Sequence, residues 1–149
     1  MAEEMSLEQR LARIEDREAI RELVASYAHA VWRRDADGAA ELFAPDGTMD
    51  TGDRPPLVGR EQIRQEYRRS FSEARFQPFV HNHLIEELSS DSARGTCTLD
   101  LRAVIEGRSM IGAGRYEDEY RKLNGRWYFA RRRLRLDYLV PLDEGWSGA

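Results

Sequence analysis

The chain has 149 residues, 41% of them hydrophobic and 34% charged, which suits one core and not two. A formal net charge of −4 argues against a nucleic-acid surface, which needs cations to neutralise phosphate. Cys97 is the only cysteine, which leaves no internal disulfide and no cysteine metal cluster. No apolar run reaches the roughly 20 residues of a bilayer span, and residues 1–10 lack the apolar stretch of a secretory signal. Cytoplasmic residence is expected, with neither membrane nor nucleic acid as a partner.

Ser6 with Gln9 reads as a capping box opening a lead-in helix, and Asp16 is placed to cap the main one. Ile20, Leu23, Val24, Tyr27 and Val31 follow helical spacing and share one face. A second, shorter helix begins near Asp35, carries Leu42 and Phe43 inward, and ends at Pro45-Asp46-Gly47. Residues 48–58 read as irregular, and a third helix after Gly59 aligns Ile63, Tyr67 and Phe71. Beyond Pro78 the pattern becomes strand-like, near 79–88, 94–105, 109–123 and 126–139. Asn124-Gly125 predicts a type I′ hairpin, because that turn needs two positive φ angles. Helices first and a long antiparallel meander afterwards define one α+β domain over residues 1–149. A curled sheet covered by about three helices makes a cone with a cavity inside.

Several segments carry a resemblance, in this order: Tyr27-Ala28-x-Ala30, Asp35, Leu42-Phe43-Ala44-Pro45-Asp46-Gly47, Gly59-x-x-x-Ile63 and His81-Asn82-His83. They continue with Gly114-x-Tyr116-x-Asp118-x-Tyr120 and Gly125-x-Trp127. From about Ile14 to Leu136 the chain resembles the SnoaL-like group of the nuclear transport factor 2-like superfamily, including scytalone dehydratase-type proteins. The resemblance implies a cone-shaped α+β fold and a homo-oligomer, dimer or trimer. It also implies an aspartate–histidine pair on the first helix and an opposing strand. Here Trp32 stands at the helix position and Pro78 at one strand position. Ala103 stands where the dehydratase histidine falls, and Thr51 near a substrate-polarising tyrosine.

Other constellations remain. His81 and His83, two apart on a strand, would share a face, as bases in the cavity or as surface or interface residues. The resemblance instead implies that Pro78, Val80, Asn82 and Leu84 lie on the cavity side. A two-residue hairpin loop sets Tyr120 opposite Phe129, Asp118 opposite Arg131 and Tyr116 opposite Arg133. Such pairing neutralises the basic strip Arg131–Arg135. Tyr116, Asp118, Tyr120, Trp127, Phe129, Arg131 and Arg133 would then share a face, either a cavity wall or a ladder salt pair at an interface. Candidate catalytic residues are therefore Asp118, Arg131, His81 and His83. Tyr27, Trp32, Phe43, Met49, Asn82, Tyr116, Tyr120 and Phe129 are candidate ligand contacts.

No metal site or cofactor is expected. The resemblance implies a lyase, isomerase or cyclase acting on a hydrophobic ketone or phenol. The alternative is a non-catalytic binding protein or an accessory subunit of the same fold.

Overall fold

The computed structural model describes residues 3–149. Ser6 caps α1 (Leu7–Trp32) through the reciprocal Gln9 box. The helix runs unbroken past Asp16. That carboxylate accepts instead from Lys122 Nζ and Trp127 Nε1, both at 2.9 Å, tying the helix to the last hairpin. The buried stripe of α1 is the predicted one, joined by Ala30. Asp35 caps α2 (Ala36–Glu41), which is shorter than expected. Phe43 belongs to β1 (Phe43–Asp50), so residues expected as a helix end and a loop are strand. A short β2 (Leu57–Val58) pairs with β1, and α3 (Arg60–Glu73) buries Ile63, Tyr67 and Phe71.

Four long strands follow: β3 (Ala74–Leu88), β4 (Ser92–Ile105), β5 (Arg108–Leu123) and β6 (Arg126–Pro141). The order is β2-β1-β6-β5-β4-β3, antiparallel except for the parallel β1–β6 pair, so the sheet is mixed. Pro78 sits inside β3, which an edge strand tolerates because one side of it needs no ladder donor. The sheet curls over α1 and α3 without closing.

Two bulges decide which side chains face inward, since one extra residue reverses alternation beyond it. Between Tyr120↔Phe129 and Glu119↔Arg131, β6 carries Ala130 as an extra residue. Beyond it Asp118 faces Arg132, and Tyr116 faces Leu134. The expected Asp118–Arg131 and Tyr116–Arg133 pairs are therefore corrected by one position. On β3, Asn82 at φ 51° marks a bulge between His81↔Thr98 and Leu84↔Thr96. It turns His81 outward and His83 inward, so the two histidines do not share a face.

Candidate functional site

The cone encloses a cavity of about 610 Å³. Its walls are mostly apolar: Val31 from α1, Met49 from β1, Phe71 from α3, Leu101 from β4 and Leu134 from β6. Three tyrosines from three elements meet at its floor. Tyr27 and Tyr67 share a hydrogen bond of 2.6 Å between hydroxyls. Either can donate, so one hydroxyl proton of the pair is left over for a ligand. Tyr116 also lines the cavity, with its ring edge against Tyr27. Burial pushes the pKa of all three phenols well above the ordinary value, which keeps them neutral donors.

Behind the floor lies Arg132, wholly buried. Its guanidinium carbon is 3.5 Å from the Tyr116 ring centroid, 4.3 Å from Tyr27 and 4.5 Å from Phe129. Its Nε stands 3.2 Å from Asp118 Oδ1, but Nε and Nη1 make no aligned hydrogen bond among the described residues. The cation is held by one carboxylate, by ring faces, and by Nη2 donating to Cys97 Sγ at 3.8 Å. Its field on the tyrosines strengthens any hydrogen bond they donate, because a nearby positive charge stabilises negative charge arriving on an acceptor.

The buried chain continues outward. Tyr120 donates to Asp118 Oδ2 at 3.1 Å, and His83 Nε2 lies 3.0 Å from the Tyr120 oxygen. A phenol has one proton and Tyr120 spends it on Asp118, so His83 is the donor, protonated at Nε2. Burial pushes the His83 pKa down to about 4, with Arg132, Arg21 and Arg17 adding repulsion. Between about pH 6.5 and 4 the unfolded chain then binds the proton that folded His83 refuses, so His83 removes stability as pH falls through this window. His83→Gln should show a smaller loss of unfolding free energy between pH 7 and 5 than the parent, by urea titration. An equal loss would contradict the assignment.

The other candidates are placed as follows. Met49 lines the cavity wall, whereas Phe43, Tyr120 and Phe129 pack beneath the floor and do not reach the cavity. Asp118 lies under the floor with its paired arginine, while Arg131 lies on the outer sheet face beside Glu119 and Arg133. His81 is exposed, its Nε2 3.5 Å from Asp100 Oδ2. Asn82 is exposed too and donates to Thr98 Oγ1 at 3.0 Å, so the bulge takes it off the expected cavity side. Thr51 is at the cavity mouth.

Trp32 and Pro78 do face each other across helix and strand, as the aspartate and histidine of the resembled enzymes would. The indole N–H is spent on the Pro78 carbonyl at 2.7 Å. Glu66 is the carboxylate nearest the tyrosine floor in sequence and lines the cavity. It is bound by Arg69 and by Arg54 at 2.5 Å, which hold its pKa below the usual range. Sequence reasoning passed over Arg132, Tyr67 and Glu66. The i, i+4 stripe of α3 held the signal for Tyr67, but nothing marked its hydroxyl as cavity-facing. Among the described residues no cluster of three or more His, Cys, Asp or Glu is placed to hold a metal, and no helix is long and apolar enough to cross a membrane.

Helices packed on a curved, unclosed sheet around a blind cavity define the nuclear transport factor 2-like cone. Residues 12–133 match the model of the SnoaL-like domain, and the chain belongs to that family. Among solved structures, a protein of unknown function from Mycobacterium tuberculosis shares 28% identity at a TM-score of 0.75, over 84% of this chain and 73% of that one. A candidate scytalone dehydratase from Novosphingobium aromaticivorans shares 19% at 0.79, over 87% and 89%. The hexachlorocyclohexane dehydrochlorinase LinA-type3 from Novosphingobium barchaimii shares 22% at 0.82, over 94% and 96%. At the lower identities the likeness is one of fold. None of the curated proteins matches the chain by sequence.

Proposed function

We propose that the protein binds a hydrophobic ketone or phenol in the cone cavity, with the ligand oxygen accepting from the Tyr116 and Tyr27–Tyr67 hydroxyls. The observation that carries this reading is the tyrosine floor backed by buried Arg132 at the end of an apolar cavity. A site of apolar walls with a few convergent donors is the usual form of a small-molecule pocket. Binding without turnover is favoured by the polar groups present. Trp32 and Pro78 offer no base, and Glu66 is neutralised by two arginines.

A second reading has its own support. Neutral tyrosines polarised by a cation form the electrophilic half of an enolisation or elimination site, and solved structures of the same fold include a dehydrochlorinase and a candidate dehydratase. Under that reading the chain is a cofactor-independent lyase or isomerase, and Glu66, released from an arginine, takes the proton. We further place it in the cytoplasm as one domain over residues 1–149, in a homodimer or homotrimer.

Thermal-shift and calorimetric titration with 2-naphthol, 2-tetralone and naphthalene test the binding. Tyr116→Phe is expected to weaken the two oxygenated ligands by roughly fivefold, about 1 kcal/mol for one hydrogen bond, and to leave naphthalene unchanged. Equal weakening of all three would refute oxygen recognition. Solvent hydrogen exchange into 2-tetralone that Glu66→Gln abolishes would establish the catalytic reading instead.

A further inference from the structure

A second concavity lies on the outer side of α1, against β3, with a volume of about 550 Å³. It exists because α1 presents small side chains there: Ala25 and Ala28 leave a trench over Val80 and Pro78. Trp32 closes one end, pinned by its bond to Pro78. At the other end Arg21 meets the inward-turned His83. Among the described residues the lining includes Arg21, His29 and Arg33 and no acidic side chain. Neither arginine takes part in an ion pair among the described residues, whereas Arg54, Arg60, Arg64, Arg68 and Arg69 on the neighbouring helix and loop all do. Twelve helical steps separate Arg21 from Arg33, about 18 Å at 1.5 Å per residue.

We propose that this trench is a separate binding site for an amphipathic monocarboxylate, its carboxylate at the Arg21–His83 end and its apolar body over Ala25, Ala28 and Val80 toward Trp32. Charge complementarity selects an anion: two cations without acidic partners flank an apolar floor, and a guanidinium takes a carboxylate by paired N–H donors. The elongated, narrow shape selects a chain or flat ring over a compact ion. Pro78 lines both this trench and the cone cavity, so the two sites share a wall but open separately.

Calorimetric titration of the full chain with decanoate tests this, alongside decan-1-ol as the uncharged control and imidazole NMR to report on His83. Decanoate is expected to bind saturably, to weaken at high ionic strength, and to shift the His83 ring resonances. Arg21→Ala should lower affinity about tenfold, and decan-1-ol should bind the parent comparably weakly. Ala25→Leu, at an exposed helix position that tolerates leucine, should abolish binding by filling the trench. Tyr116→Phe, in the other cavity, should bind decanoate as the parent does. Absence of saturable binding, binding indifferent to Ala25→Leu, or binding with His83 unmoved would each overturn the proposal.

Discussion

Arg132→Met is expected to cost about 3–5 kcal/mol of stability, among the largest effects of any single change in the chain. Arg132 and Asp118 are each essentially without solvent contact, and Asp118 Oδ1 has no aligned donor among the described residues. Removing the cation strands a carboxylate whose remaining partner is Tyr120. Burial already pushes the Asp118 pKa upward, with Arg132 opposing. Without Arg132 that carboxyl must hold a proton or unfold the floor. The partner double variant Asp118→Leu with Arg132→Met should recover most of the loss, since an apolar pair of similar volume leaves nothing unsatisfied. Urea unfolding of the parent, both single variants and the double variant gives the cycle. A single-variant loss within about 1 kcal/mol would show that the pair is not isolated from water as described. The same arginine polarises the tyrosines, so the double variant should fold and still bind oxygenated ligands more weakly than the parent.

Gly114→Ala is expected to cost about 3 kcal/mol or more, at the upper end of overpacking effects. A methyl group there would meet the Arg135 carbonyl oxygen at 2.1 Å and Leu136 Cα at 2.8 Å, both backbone and unable to swing aside. The site adjoins the second irregularity of the β5–β6 ladder, where Ala113 pairs with Tyr138 and Gly114 with Leu136. Leu134 and Leu136 line the cavity, so a shift large enough to admit the methyl also deforms the wall. Gly148→Ala is the control, since none of the described residues lies within 4 Å of its added carbon. Thermal unfolding of both variants decides it. Equal midpoints would mean that the two strands are not in close contact at Gly114.

The sequence made some of this arrangement readable because periodicity and turn chemistry are local. Leu23, Val24, Tyr27 and Val31 lie on the buried stripe that their spacing predicts, and Asn124-Gly125 places Tyr120 opposite Phe129. Counting from that turn works only while each strand contributes one residue per step. Ala130 breaks the count without a glycine or proline to mark it, and the buried arginine becomes Arg132 instead of Arg131. At the other bulge a local signal existed: Asn82 takes a positive φ, which asparagine tolerates better than most residues. Its effect on the neighbouring histidines still depends on pairing with Thr96 and Thr98 on β4, far along the chain. The Trp32–Pro78 apposition was readable from the family resemblance alone. The tyrosine floor was only partly readable: Tyr27 and Tyr116 stood out, but Tyr67 enters because α3, packed on α2 and β1, brings its hydroxyl to Tyr27, a tertiary contact with no sequence mark.

A crystal structure of the protein with 2-naphthol bound would show whether the tyrosine floor holds the ligand oxygen. The ligand oxygen is expected within about 3.2 Å of the Tyr116 hydroxyl or the Tyr27–Tyr67 pair, with its rings against Leu101 and Phe71. A ligand whose oxygen points to the mouth, away from all three tyrosines, would contradict it.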